Sequence, residues 1–136
     1  MRKAANTKKR ASKRAAKEKN KLTISNSEFD WFIDRMEIES VHAKGDKVEV
    51  HFLSPFAGVE PVTITDTLTG MHLLLGNECF VLLHRSRIAN MEHVRAYRRQ
   101  HNHTVIMKSG KVLGVARNRE DFVQASLMEY RSRKSG

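Results

Sequence analysis

The sequence of 136 residues predicts a mostly β fold with a few short helices and a C-terminal helix. Residues 48–52 alternate apolar and polar side chains, which is the period of a half-buried strand. Two extended runs, 104–107 and 111–115, flank the turn residues Ser109 and Gly110 and predict a hairpin. The length suffices for one domain with one modest core. Near the C-terminus, apolar side chains recur at helical spacing, at Val123, Leu127 and Tyr130.

Residues 1–21 predict a basic tail that is separate from the folded domain. They contain ten Lys or Arg residues, one acid and, apart from Met1, no large apolar side chain. A segment without apolar surface to bury cannot compensate the entropy cost of ordering, so we expect this tail to be disordered when free. The predicted folded domain, residues 22–136, follows it.

The first half of this domain predicts strands joined by turns. Residues 29–36 indicate a strand and a turn, and a second extended run begins at Ile38. The Gly-Asp pair at the centre of 43–47 suits a tight turn before the strand at 48–52. The next break and the next strand are predicted at 54–58 and 59–64.

A short helix is predicted at 67–75, since Gly76 suits its end and Thr65 or Asp66 suits its N-cap. Its core-facing side chains are predicted to be Leu68, Met71 and Leu75.

The second half predicts further short strands and one longer helix. Strands are indicated at 80–83 and 94–97, and the segment 84–90 between them predicts a helical turn. The last helix is predicted to begin at Asn118, whose side chain suits the N-cap with Asp121 three residues later.

The net charge of +10 is unevenly distributed along the chain. The tail carries +9, residues 22–83 carry −7 and residues 84–136 carry +8. Such an uneven charge distribution, with strongly basic segments, is typical of proteins that bind a polyanion. We expect the tail to add non-specific attraction to phosphates.

Cysteine usage and apolar patterning exclude several classes of protein. Cys79 is the single cysteine, so the chain cannot form an internal disulfide or a cysteine zinc cluster, and a reducing compartment fits best. The longest apolar stretch, 73–83, is interrupted by polar residues and is too short to cross a bilayer. The basic N-terminus lacks the apolar segment of a secretory signal. We therefore expect a cytoplasmic, nucleoid-associated protein without membrane insertion.

Two short apolar runs, 80–83 and 114–116, end abruptly in Arg and Asn side chains. Arg can donate two hydrogen bonds to guanine O6 and N7, and Asn can pair with adenine N6 and N7. The pattern therefore predicts loops presented to a DNA groove. The side chains concerned are Arg85, Arg87 and Asn90 after the first run and Arg117, Asn118 and Arg119 after the second.

The order and spacing of these blocks resemble the LytTR family, bacterial DNA-binding domains typically found behind response-regulator receivers. The resemblance implies small β-sheets with few short helices, in which loops rather than a recognition helix enter successive major grooves. The matching segments are Ile38–Val48 with Ala43-Lys44-Gly45-Asp46 at its centre, Thr67-Leu68, Phe80 with His84-Arg85-Ser86 and Asn90, and Gly110-Lys111 with Val115-Ala116-Arg117-Asn118.

The resemblance also implies which residues contact DNA. Base reading is assigned to Lys44, Asp46, Arg85, Arg117 and Asn118. Of these, Arg85 and Arg117 are expected on guanine edges, where a bidentate pair contributes about 1–3 kcal/mol of discrimination. We predict phosphate contacts, which set the register on the duplex, from His84, Ser86, Arg87, Arg98, Arg99 and Lys108. His84 is also suited to support its own turn.

The leading hypothesis is a sequence-specific transcription regulator of double-stranded DNA that needs no cofactor. The resemblance implies direct-repeat sites and a dimer on DNA, with two copies about one helical turn apart. A regulatory protein partner is compatible with this reading. Since the sequence has no room for a receiver domain, we expect either a stand-alone regulator or a fragment of a longer one.

The basic tail alone would also permit an RNA- or ribosome-associated protein, although the aromatic residues form no evident base-stacking platform. An enzyme is not expected, because the sequence has no nucleophile elbow, phosphate loop or paired acid–base motif. His101 and His103 have the spacing of two metal ligands but lack a third, which favours a loop and no metal site.

Overall fold

A computed structural model describes residues 20–53 and 61–135 of the chain. Residues 1–19 of the predicted tail, the predicted break at 54–58 and the start of the strand predicted at 59–64 lie outside the described residues. Lys21, assigned to the tail from the sequence, is the first residue of a strand.

The described residues form three antiparallel sheets and two α-helices, which confirms the predicted fold class. The helices are α1 (Leu68–Leu75) and α2 (Glu120–Ser135), and 3-10 turns occupy Arg35–Glu37, Met91–His93 and Arg117–Arg119. The strands are β1 (Lys21–Ser25), β2 (Asp30–Asp34), β3 (Ile38–Lys44), β4 (Lys47–Phe52), β5 (Val62–Ile64), β6 (Phe80–His84), β7 (Arg87–Asn90), β8 (Val94–Arg98), β9 (Thr104–Met107) and β10 (Val112–Gly114).

The central sheet has five strands in the order β5-β4-β3-β7-β6, and apolar layers cover it on both faces. On one face, Val41 packs in a core with Met71 of α1 and Ile24 of the β1–β2 hairpin. On the other, Leu83 packs with Val123 of α2 and with the three-stranded sheet β10-β9-β8. Because β6 contributes to both layers, its sequence is continuously apolar instead of alternating.

The helical turn predicted at 84–90 is wrong. Residues 85 and 86 form a tight turn, and β7 follows as a strand that pairs with β3 on one side and β6 on the other. Ile88 and Ala89 are fully buried, one in each apolar layer. Four residues are too few for alternation to distinguish a central strand from a helical turn.

The predicted caps of the two helices also need correction. The N-cap of α1 is Thr67, whose Oγ1 accepts a hydrogen bond from the Gly70 amide at 2.9 Å, and not Thr65 or Asp66. Asn118 does not cap α2, because it lies within a 3-10 turn that continues directly into the helix, and its side chain is exposed. The predicted buried faces of both helices are confirmed.

Among the described residues, no helix combines the length and the apolar character that crossing a bilayer requires.

Candidate nucleic-acid interface

Three connecting segments lie side by side at one end of the five-stranded sheet. They are the β3–β4 turn, the β6–β7 turn and the linker from β10 to α2, and together we call them the three-loop edge. The first two turns share this end because β3 and β7 are adjacent and antiparallel. The β3–β4 and β6–β7 connections are centred about 10 Å apart, which is two strand spacings.

Two backbone hydrogen bonds join these segments to their neighbours. The amide of Ala43 donates to the carbonyl of Ser86 at 2.8 Å, which ties the end of β3 to the β6–β7 turn. The amide of Ala116 donates to the carbonyl of Leu83 at 3.0 Å, which ties the linker to the end of β6. The relative positions of the three segments are therefore set by sheet-like pairing.

The β3–β4 turn presents two of the predicted base-reading side chains. Gly45 has a φ of +62°, a left-handed conformation that favours glycine, and the pair Lys44 and Lys47 closes the turn around it. The Lys44 side chain is 73% exposed, and its Nζ lies 3.2 Å from Oε2 of Glu49. Asp46 is exposed at the tip.

The β6–β7 turn is built around His84. Its Nδ1 lies 2.9 Å from the Ser86 hydroxyl and accepts the Ser86 amide at 3.2 Å, so the ring holds the turn while Arg85 is exposed. The amide can bond only to an unprotonated Nδ1. Burial and then the charges of Arg87 and Arg85 lower the pKa of His84, which keeps the ring neutral. In this structure His84 supports the turn.

Arg119 fixes the linker. Its Nε and Nη2 both donate to the carbonyl of Leu82, at 3.2 and 3.1 Å, and its guanidinium lies 4.4 Å from the centroid of the Phe122 ring. The two residues before it, Arg117 and Asn118, are exposed. Arg119 therefore anchors the segment that presents them.

A cleft of about 610 Å³ separates the β6–β7 turn from the linker. Its lining includes Arg85 of the turn, Arg117 and Asn118 of the linker, and Asn102 with His103 of the loop between β8 and β9. Among the described residues, one acid, Glu120, also lines it, with Oε1 at 3.6 Å from Nε2 of His103. The cleft therefore combines positive charge with the amide and guanidinium donors that base edges require.

The other predicted contacts are distributed unevenly. Arg98 and Arg99 are exposed at the end of β8, beside the loop that carries His103 to the cleft. Arg87 is half-buried in β7, opposite both His42 and His84. Lys108 lies at the opposite end of β9 from the cleft, where its amide donates to the His93 carbonyl at 2.8 Å.

Asn90 does not belong to the exposed cluster in which the sequence placed it. It is fully buried, its Nδ2 donates to the carbonyl of Ile38 at 2.9 Å, and its Oδ1 accepts the amide of Glu92 at 3.0 Å. This correction has a simple cause. Asn90 ends a central strand, where a buried polar side chain persists only if the backbone satisfies it.

Two residues of the cleft, Asn102 and His103, were missed from the sequence. Arg119, which the sequence grouped with the groove-facing Arg and Asn side chains, is half-buried and anchors the linker instead. Asn102 and His103 approach the cleft only because β9 pairs with both β8 and β10, and local pattern does not report such long-range pairing. The role of Arg119 depends on a carbonyl distant in sequence. Its position two residues after Arg117 was the available signal.

A second group of polar residues lies behind the β6–β7 turn. His42 is opposite Arg87 in the sheet, its ring centroid is 4.4 Å from that of His51, and its Nε2 is 2.9 Å from the Ser40 hydroxyl. Burial, followed by the positive charges of His51, Arg87 and Lys111, lowers the pKa of His42 to about 4.

This lowered pKa predicts that folding stability falls as the pH drops from about 6.5 towards 4. In that range the unfolded chain binds a proton at position 42 that the folded chain does not, which contributes a slope of at most about 1.4 kcal/mol per pH unit. His42→Gln should flatten the dependence, measured by urea unfolding across this range. The exposed His101→Gln serves as the control. An equal slope in wild type and His42→Gln would contradict the prediction.

Comparison with known proteins agrees with this geometry. The family model of the LytTr DNA-binding domain matches residues 31–128. Among solved structures, the fold is similar to the LytTr DNA-binding domain of a protein described as a methyl-accepting/DNA response regulator from Bacillus cereus, with a TM-score of 0.67 and 19% identity. That match covers 79% of this chain and 96% of the other.

A search among curated proteins found no match. The family match spans all three segments of the three-loop edge and both clusters of Arg and Asn side chains. It agrees with the DNA hypothesis and lends no support to the RNA alternative. The chain belongs to the LytTR family of DNA-binding domains.

Proposed function

We propose that the chain is a sequence-specific transcription regulator whose three-loop edge reads base edges in the major groove of double-stranded DNA. The observation that carries the proposal is the convergence of the loops. Two backbone hydrogen bonds hold three segments together, and each segment presents at least one exposed polar side chain suited to base recognition.

Each base-reading residue has a proposed partner. Arg85 and Arg117 both line the cleft and donate to guanine O6 and N7, while Asn118 pairs with adenine. Lys44 and Asp46 project from the neighbouring turn. There, Lys44 donates to guanine and Asp46 accepts from cytosine N4.

Phosphate contacts set the register. Arg98 and Arg99 are exposed at the end of β8, just before the loop that carries Asn102 and His103 to the cleft, so they are the best placed of the predicted phosphate-binding residues. The base of the β6–β7 turn consists of His84, Ser86 and Arg87. These residues support Arg85, and they contact phosphate only at the edge of the proposed interface. Lys108 lies at the far end of β9 and is left outside this interface.

The 136 residues suffice for this binding without a receiver domain, and two copies bind direct repeats about one helical turn apart. The test is selection of bound duplexes from a random DNA pool by the full chain at moderate salt. Enrichment of one or two short motifs with helical spacing is expected. Failure to enrich any duplex, together with retention of an RNA pool, would refute specific DNA reading.

The tail is proposed to add sequence-independent affinity. Deletion of residues 1–19 leaves β1 intact and removes nine Lys or Arg residues. Because each phosphate contact releases counterions, the deletion should weaken binding to specific and random duplexes alike and reduce the slope of log Kd against log salt. The measurement is fluorescence anisotropy at several salt concentrations. An unchanged slope would show that the tail does not touch DNA.

Arg119→Ala tests the anchor of the linker. We expect the variant to fold, but to lose about fivefold or more in affinity for the selected site, since Arg117 and Asn118 are no longer held in place. Arg133→Ala is the matched control, because Arg133 lies near Glu78 at the other end of β6. Equal affinity of the two variants for the site would contradict the positioning role.

A further inference from the structure

A second groove lies between β8 and α2, away from the cleft of the three-loop edge. Its volume is about 300 Å³, at the lower limit of ligand-sized cavities. The floor and walls include Val94 and Ala96 of β8 with Leu127 and Met128 of α2. Met128 is 69% exposed, so apolar surface is open to solvent here. We call this cavity the β8–α2 groove.

The groove runs along the edge of a sheet. β8 is an outer strand of the order β10-β9-β8. The Val94 amide donates to the Met91 carbonyl in the preceding 3-10 turn, and beyond it β8 makes no backbone hydrogen bond on its outer side within residues 20–53 and 61–135. Four consecutive residues, 94–97, line the groove. Two features account for this continuous lining: the register shift at Arg95, which interrupts the alternation of side chains, and the position of β8 at the edge of its sheet. From Ala96 to Arg98 the pairing with β9 is regular, and this part of the edge is a template for another strand.

The charge of the groove defines what would bind. Arg95, Arg99 and Arg131 line it, and no acid does so among the described residues. Arg95 and Arg99 are exposed on the strand side. An isolated edge strand is commonly protected by charge, but here the charge is of one sign beside an open apolar surface, which suits an acidic ligand with an apolar anchor.

We propose that an extended acidic segment of a partner protein adds a strand to β8. Its backbone pairs with the free edge, one apolar side chain enters the groove beside Leu127 and Met128, and its carboxylates lie on Arg95 and Arg99. In strand addition, the backbone hydrogen bonds provide affinity, and the pockets for alternate side chains provide specificity.

The segment also regulates DNA binding, a consequence that rests on the proposed function. Arg99 is assigned to phosphate, and the added strand covers it. Tyr97 lines the groove, and its hydroxyl lies 2.8 Å from Nδ1 of His103. His103 in turn lines the cleft of the three-loop edge. Occupation of the groove therefore weakens DNA binding and reduces its salt dependence.

The probe is a synthetic peptide one residue longer than β8 at either end, in which Glu alternates with Val or Leu. Binding is measured without DNA, by amide NMR titration of the full chain at physiological salt. We expect shifts at residues 94–99 and 124–131 and slower hydrogen exchange in β8. A peptide with Lys in place of Glu, and one methylated on alternate backbone nitrogens, should not bind. Equal binding of either control would overturn strand addition.

Matched variants locate the site. Arg95→Gln and Arg99→Gln should each weaken peptide binding by up to about fivefold. Arg98→Gln removes the same charge from a residue that does not line the groove and should stay within about a factor of two. Met128→Glu, an exposed change on α2, should abolish binding with an unchanged melting temperature. Equal effects of the three Arg variants would overturn the site. Because these measurements contain no DNA, their outcome is independent of the proposed DNA function.

Discussion

Arg117→Ala is expected to remove most of the discrimination between the selected DNA site and random duplex while the protein remains folded. The side chain is exposed and lines the cleft of the three-loop edge, so its loss opens no cavity in the core. If Arg117 donates two hydrogen bonds to guanine, the variant should lose about 1–3 kcal/mol of specific binding, or about 5- to 150-fold in affinity. Affinity for random duplex should change little.

Salt dependence separates base reading from phosphate contact. A side chain on a base edge displaces no counterion from phosphate, so the slope of log Kd against log salt should be the same for Arg117→Ala and wild type. Arg99→Gln, assigned to phosphate, should instead reduce the slope by about one and weaken all sequences together. If Arg117→Ala behaves in this second way, Arg117 is a phosphate contact and the proposed reading is wrong.

Arg133→Ala controls for loss of an arginine from the basic half of the chain. Its Nη2 lies 3.5 Å from the Glu78 carbonyl, at the start of β6, whereas the cleft lies at the end of the same strand. Specific binding by this variant should remain close to that of wild type. A loss equal to that of Arg117→Ala would attribute the effect to net charge.

Sequence reasoning predicted elements that local pattern determines. The tight turn at Gly45, the hairpin through Gly110 and the buried face of α2 all depend on residues close together in the chain. The family resemblance, which supplied the order of the blocks, is confirmed by the match over residues 31–128.

Long-range pairing was not predictable in this way. β7 is a strand because β3 and β6 pair with it on both sides, and neither partner is visible in its four residues. The same limitation applies to Arg119, whose acceptor is the distant Leu82 carbonyl. In both cases the deciding interactions join residues far apart in sequence.

Asn90 and Asn118 provide the sharpest test of what the sequence can predict, because each belongs to an Arg- and Asn-containing cluster, yet the structure buries Asn90 and exposes Asn118. Asn90→Ala should destabilise the fold by about 2–4 kcal/mol, since it leaves the Ile38 carbonyl and the Glu92 amide without their buried partner. The melting temperature should fall by about 10 °C. Asn118→Ala should leave the melting temperature unchanged, because its side chain is exposed and makes no hydrogen bond to the described residues.

DNA binding should show the opposite order. Below its melting temperature, Asn90→Ala retains the exposed cleft and should discriminate between selected and random duplexes as wild type does. Asn118→Ala loses its proposed adenine contact and should lose about 1–3 kcal/mol of discrimination. Calorimetric melting and anisotropy titration of both variants measure the two effects separately. If Asn118→Ala lowers stability without altering discrimination, Asn118 is a structural residue of the linker. Arg117 would then be the linker residue that recognises a base.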